Sequence, residues 1–476
     1  MTDTPPLPNR LKTEIHEALR QWYAAKEPPI NHLSGLILVQ NMRQQKGGHV
    51  LAAKRYFINE VLLEGLEQLG LQQLEGAQIL RKRFLDKKSA KVVAQELELT
   101  EYVVKHRQKT ALKDLTKTVW ELECAARKAR ITTQKSSLEA KHYTAVFGIE
   151  ELSDRLRDLL LKDDSPWVVT LVGLGGIGKT TLANYTVRRV IEHLHYHDVV
   201  WLTISDFNVQ ERPFPAVTPK QTFDKLILQL SRKLLPTLPN QTSTEERLTQ
   251  VQQLLKSRPY LIIIDDLELR SDTAYLISQL VNVAQPSRFL LTSRTPPADH
   301  VGSQTICLPE LGEADSLTLI RHYAREIGFH QAAEAKKEEL LPIYELVGGN
   351  PYTLKQLVSL AKERPLQSLL TSLQERPLEN GKEIYLHILE QTWLTLSDDA
   401  KAVLAVMPLA ADGGMDPEQI AALSRLPDER LWPAINELIG RSLLEVRSST
   451  IWERFYGIHR LTELFIRSLL HSDVSG

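Results

Sequence analysis

Between Val168 and Thr181 the chain reads as an apolar run, a glycine-rich loop and the opening of a helix. No other stretch restricts the fold as strongly. Gly173-Leu-Gly-Gly-Ile-Gly178-Lys179-Thr180 matches G-x-x-x-x-G-K-[ST] in full. Gly173, Gly175, Gly176 and Gly178 let backbone N–H groups turn inward as an anion nest, and the helix N-terminus adds its positive dipole end. Lys179 is expected to reach the β- and γ-phosphates of a nucleotide, and the Thr180 hydroxyl to ligate Mg2+, with Ile177 and Thr181 completing the cradle. The plainer reading is a glycine-rich turn with no ligand.

Such a loop needs an acidic partner at the end of another strand. Leu261-Ile-Ile-Ile-Asp265-Asp266 supplies one. Asp265 is expected to hold Mg2+, directly or through water, and Asp266 to orient or polarise the attacking water. A further apolar run, Arg288-Phe-Leu-Leu-Thr-Ser-Arg294, ends in an arginine placed to sense a γ-phosphate. Trp167–Val172, Val199–Ile204, Tyr260–Ile264 and Phe289–Thr292 are short, rich in Val, Ile or Leu, and separated by helical stretches. Strands of a parallel sheet covered on both faces have this texture.

A chain of 476 residues allows about three or four domains. Lys plus Arg number 58 against 59 Asp plus Glu, a net charge of −1, so any nucleic-acid contact must come from local asymmetry. The longest apolar stretch, Ala402 to Ala411, is far short of a membrane span, and no basic-then-apolar leader opens the chain. The 2 cysteines, Cys124 and Cys307, exclude a disulfide scaffold and fit a reducing cytoplasm. His193, His195 and His197 alternate before a strand, a pattern read as a polar loop rather than a metal site. No fixed-period repeat is present.

In this order the motifs resemble the NB-ARC branch of the STAND signalling ATPases, over roughly residues 145–470. The resemblance makes Leu291-Thr-Ser-Arg294 a first sensor. It makes Gly349-Asn350-Pro351 a Gly-x-Pro motif whose proline packs on adenine, and Phe147-Gly148-Ile149 an adenine-side loop. Ile458-His459-Arg460-Leu461 stands where the family has Met-His-Asp, so His459 would contact the ADP β-phosphate. Ile458 is a mild exchange there, whereas Arg460 reverses a charge at the closed-state latch. Pro351 as an ordinary helix-start proline, and His459 as a satisfied core or surface histidine, are the alternatives. The implied architecture is multidomain α and α/β: a helical N-terminal domain (1–137), a P-loop parallel-sheet domain (138–303), a small helical domain (304–378) and a winged helix (379–476). Bound ADP would hold a closed monomer, and exchange for ATP would open it and permit oligomerisation.

Residues 11–130 have helical periodicity, and residues 131–137 read as a linker. Within 78–118, Ser89 to Leu97 and Glu101 to Leu115 read as two helices about a short turn at Glu98-Leu99-Thr100, with Thr100 as N-cap. This stretch resembles the helix-turn-helix of bacterial sigma factors, with Glu98 where glycine is usual. From Arg81 to Lys117 there are 11 Lys/Arg against 5 Asp/Glu. Tyr102, Lys105, His106 and Lys109 share the outward face of the second helix and are the expected DNA contacts. A basic helical bundle that meets another protein, or nothing, is the alternative.

Three functions fit: an ATP/ADP switch with slow hydrolysis that binds DNA as a transcription regulator; the same switch as a signalling or defence scaffold recruiting an effector; and an AAA+-type remodeller, for which no clear second-sensor arginine is seen. A separate sensor protein is a further expected partner, and no membrane is.

Overall fold

The computed structural model describes residues 5–24, 32–45, 54–138, 143–203, 219–265, 267, 273–294, 296–297, 300–363, 365–368, 389, 393–394, 396–410, 414–440, 443–446, 454–458, 462–463, 465–467 and 469. It separates into two compact units, 1–133 and 134–476. Among the described residues no helix is long and apolar enough to cross a membrane.

The first unit is all helical. Its helices are α1 (Leu11–Arg20), α2 (Ile37–Gln45), α3 (Lys54–Gln72), α4 (Leu74–Leu80), α5 (Ala90–Glu96) and all but the last residues of α6 (Glu101–Ser136), which belong to the second unit. Leu62, Leu66, Leu115 and Val119, at helical spacing on α3 and α6, are fully buried in one core. The Glu123 carboxylate, 0% exposed, accepts the Ile37 and Leu38 N–H groups, both at 3.1 Å, and pairs with Arg127 at 2.7 Å. A buried acid thus caps α2 from a distance.

α5 and the start of α6 enclose a smaller core of Ile79, Ala90, Val93, Ala94 and Val104. Ser89 caps α5 through the Val92 N–H, and Thr100 caps α6 through the Val103 N–H, each at 3.3 Å. Glu98 turns the chain with φ +54°, the left-handed region that glycine prefers. Tyr102, Lys105, His106 and Lys109 are all exposed. Lys105 is paired with Glu101 at 2.7 Å, and the Tyr102 and His106 rings stack at 6.5 Å.

The expected linker at 131–137 is helix instead: α6 continues to Ser136. Thr132 and Ser137 return hydroxyl hydrogen bonds to the carbonyls of Lys128 and Gln134, at 2.9 and 2.8 Å. Gln134 is buried and donates to His197 O at 3.2 Å, while Arg188 donates to the Lys135 carbonyl. Local polarity suggested a break; tertiary partners keep the helix going.

In the second unit, β1 (Val168–Val172), β2 (Asp198–Thr203), β3 (Tyr260–Asp265), β4 (Arg288–Ser293) and β5 (Ser303–Cys307) form one parallel sheet, ordered β2-β3-β4-β1-β5. α7 (Glu150–Leu161) packs on α8 (Lys179–Ile191), which meets β1 and β4. α9 (Pro219–Leu234), α10 (Thr244–Ser257) and α11 (Thr273–Ala284) share a second core with Ile262, Ile264, Phe289 and Leu291. β1, β3 and β4 are buried at every position, which accounts for their unbroken apolar runs. The sheet runs on through β5 beyond residue 303, where the nucleotide segment was expected to end.

Four helices follow, α12 (Glu313–Glu326), α13 (His330–Glu334), α14 (Lys337–Val347) and α15 (Pro351–Glu363), around their own apolar cluster. Beyond them, helices Asp398–Val406, Pro417–Ser424 and Asp428–Gly440 pack with the antiparallel strands Glu445–Val446 and Tyr456–Gly457. Met415 bridges to Tyr456 beside that pair.

A β-carbon at a left-handed position costs about 1–2 kcal/mol, and a branched one strains it further. Glu98 already carries that cost, so Glu98→Val is expected to lower stability by about 1 kcal/mol, the added strain of branching, and Glu98→Gly to hold or raise it. Calorimetric unfolding of the full chain checks both signs.

Candidate functional site

Three strand ends converge at one edge of the sheet. β1 passes into the loop 173–178, β3 ends at Asp265, and β4 lies between them and ends at Ser293. Gly176 and Gly178 have φ of +75° and +104°. A Cβ on Gly178 would meet nothing within 4 Å, so the N-terminus of α8 gives onto open space. That is the shape an anion nest requires. Lys179 opens α8 and folds its ammonium back over the loop, donating to the Gly173 and Leu174 carbonyls at 2.8 and 2.9 Å.

Asp265 is buried, 3% exposed. The Thr180 hydroxyl donates to its Oδ1 at 2.9 Å, and the Thr292 hydroxyl donates to the same oxygen at 2.5 Å. Charge-assisted bonds of this kind are what make a buried carboxylate tolerable. Because the Thr180 O–H points at Asp265 as a hydrogen-bond donor, its oxygen lone pairs remain to face a cation. A hydroxyl backed by a carboxylate is an oxygen donor set suited to Mg2+. Arg294 follows β4 directly and is half-buried. Asp266 lies outside the described residues, as do His459 and Arg460.

The expected adenine-side residues lie along one path. Phe147 packs on the α12–α15 cluster, with its ring 5.3 Å from that of His322. A Cβ on Gly148 would lie 3.0 Å from Leu311 Cδ2, and Ile149 precedes α7 as its N-cap residue. The Leu311 N–H donates to Gly349 O at 2.9 Å. Asn350 follows, fully buried: its Nδ2 donates to Gly175 O at 3.1 Å, and its Oδ1 accepts the Tyr352 and Thr353 N–H groups. Pro351, half-buried, is the first residue of α15, a position that suits its missing N–H. Residues 147–149, the turn at 349–351 and the phosphate loop are thus stitched together through Leu311 and Asn350.

Two residues here escaped the motif reading. Thr292 stood inside the Leu-Thr-Ser-Arg run, and Asn350 was the free position of Gly-x-Pro; only burial shows what they touch. Leu174, in the loop itself, is 2% exposed and belongs to the apolar cluster of the C-terminal helices, together with Ile458. Among the described residues no three or more His, Cys, Asp or Glu side chains gather at metal-binding distance. His197 accepts from Arg258 at 3.1 Å, and burial holds His195 below the ordinary histidine range.

A Cβ on Gly349 would lie 1.9 Å from the Leu311 carbonyl oxygen, so backbone and not a movable side chain blocks it. Gly349→Ala should therefore force the turn apart and cost more than about 2 kcal/mol. A clear fall in the thermal midpoint of the purified variant is expected.

Residues 149–326 match the model of the NB-ARC domain. The chain is 24% identical over 340 residues to disease resistance protein RGA2 of Solanum bulbocastanum, covering 65% of this chain and 31% of that protein. It is 29% identical over 162 residues to the putative disease resistance RPP13-like protein 1 of Arabidopsis thaliana, 32% of this chain and 14% of that one. The chain therefore spans less than a third of the length of these relatives. Among solved structures, the Walker-type ATPase paby2304 of Pyrococcus abyssi aligns over 70% of this chain and 99% of its own, at 14% identity and a TM-score of 0.46. The segment that matches the NB-ARC domain holds the phosphate loop, Asp265 and Arg294.

Proposed function

We propose that this protein is an adenine-nucleotide-dependent switch with slow ATP hydrolysis. One observation carries the reading: Thr180 and Thr292 converge on the buried Asp265 beside a left-handed, open-mouthed loop. In this reading the loop N–H groups from Gly173 to Thr181 and Lys179 hold the phosphates. Thr180 and Asp265 would hold Mg2+, which neutralises phosphate charge when bound. Arg294 reads the γ-phosphate, Asp266 orients water, Phe147, Gly148, Ile149 and Pro351 face the adenine, and His459 reaches the β-phosphate. The three C-terminal helices with their short strand pair are read as a winged helix, which ADP keeps docked on the loop. Moving a switch from 1:99 to 99:1 takes about 5.5 kcal/mol of differential affinity. A γ-phosphate with its metal, Lys179 and Arg294 is a sufficient source of charge-assisted contacts.

Two outputs rest on different observations. The turn at Glu98, the capped α5 and α6, and the exposed Tyr102, Lys105, His106 and Lys109 support a DNA-binding helix-turn-helix in a transcription regulator. The names of the relatives support a defence scaffold, in which the N-terminal helices recruit an effector and ATP binding drives oligomerisation.

Calorimetry should show ADP binding to the wild type and none to Lys179→Ala; retained ADP on that variant sinks the phosphate assignment. Sedimentation should differ between ADP and a non-hydrolysable ATP analogue. Binding to a DNA duplex should weaken steeply between about 50 and 200 mM salt and vanish in a Lys105→Glu, Lys109→Glu double variant that still binds ADP. Absence of salt-dependent binding transfers the output to a protein effector.

A further inference from the structure

We infer that Asn350 is a positioning residue for the phosphate loop, fixing the peptides around Gly176 from outside and thereby tuning phosphate affinity. This rests on the nucleotide reading above. Capping α15 needs only an oxygen, and Asn350 Oδ1 meets that need through the Tyr352 and Thr353 N–H groups at 3.1 and 3.2 Å. Serine or aspartate would serve as well. The amide nitrogen has no part in the cap; it donates to Gly175 O at 3.1 Å, 175 residues away in sequence.

The next carbonyl is held from the same side. The Tyr352 N–H, shared with Asn350 Oδ1, also reaches Gly176 O at 3.3 Å. Two successive loop carbonyls therefore point at the start of α15. In a planar trans peptide the N–H points opposite to the C=O. Holding the Gly175 carbonyl on the α15 side turns the Gly176 N–H to the other side, where an anion nest needs its donors.

Gly175 and Gly176 would otherwise sample many backbone conformations of similar energy. Ordering them before a ligand arrives removes that entropy from the binding step. The fit is close: a Cβ on Gly176 would sit 2.6 Å from Tyr352 Cβ and 3.2 Å from Asn350 Oδ1. The turn at 349–351 is itself anchored, by Leu311 N–H to Gly349 O at 2.9 Å and by Gly349 N–H to Glu310 Oε2 at 3.1 Å.

Asn350→Ser separates the two jobs, because it keeps a capping oxygen and removes the bridging amide. ADP titration with Mg2+ should show affinity about 3- to 10-fold weaker than wild type, the worth of one hydrogen bond. The unfolding midpoint without nucleotide should stay close to wild type. Amide exchange of the peptide containing 174–178 should quicken in the variant, which a purely structural cap would not produce. Unchanged ADP affinity with unchanged exchange overturns the inference while leaving the nucleotide reading intact. Failure of the wild type to bind ADP removes that reading instead. If Asn350→Ser does not fold, Asn350→Asp keeps the cap and the size, cannot donate, and is judged by loop exchange alone.

Discussion

A glycine-rich loop holds a defined shape only if something outside it does the holding, and here the loop 173–178 is held on several sides. Lys179 closes over the carbonyls of Gly173 and Leu174. Thr180 ties the start of α8 to Asp265 on β3, and Thr292 brings β4 to the same oxygen. Asn350 and Tyr352 grip the outer carbonyls. These residues belong to elements with cores of their own, so loop geometry depends on the parallel sheet and the α12–α15 cluster together. The strand order matters in this: β4 between β1 and β3 is what puts Thr292 within reach of Asp265.

The first unit uses other means to a similar end. There the buried Glu123 serves two backbone N–H groups and one arginine at zero exposure. Removing such an acid would leave α2 uncapped inside an apolar core, where an unpaired N–H is costly. The surface of α5 and α6 is different in character. Lys82 and Lys88 both pair with Glu96, and those hydrogen bonds hold the Glu96 carboxyl below the usual carboxylate range. The local cationic excess is thus partly neutralised within the unit, at Lys105 by Glu101 as well.

Much of the sheet domain was legible because each signal was local. The phosphate loop, the apolar run into Asp265 and the strand before Arg294 lie where their residues imply, within a residue or two at each end. β5 was missed because it is an edge strand: Ser-Gln-Thr-Ile-Cys pairs only with β1, so its face is half-buried and its sequence lacks an apolar run. The helical course of 131–136 was missed because it depends on His197 and Arg188, distant in sequence. Asn350 was invisible for the same reason, since nothing about an asparagine before a proline reveals a partner at Gly175. Motifs report what a residue offers to a ligand; they are silent on what holds the motif in place.

Leu174 has a consequence of its own. It is a loop residue by sequence, yet its side chain is a peg buried in the apolar cluster of the C-terminal helices. Lifting the C-terminal helices away would bare the peg and its socket at once, at roughly 1.5–3 kcal/mol for a side chain of that size.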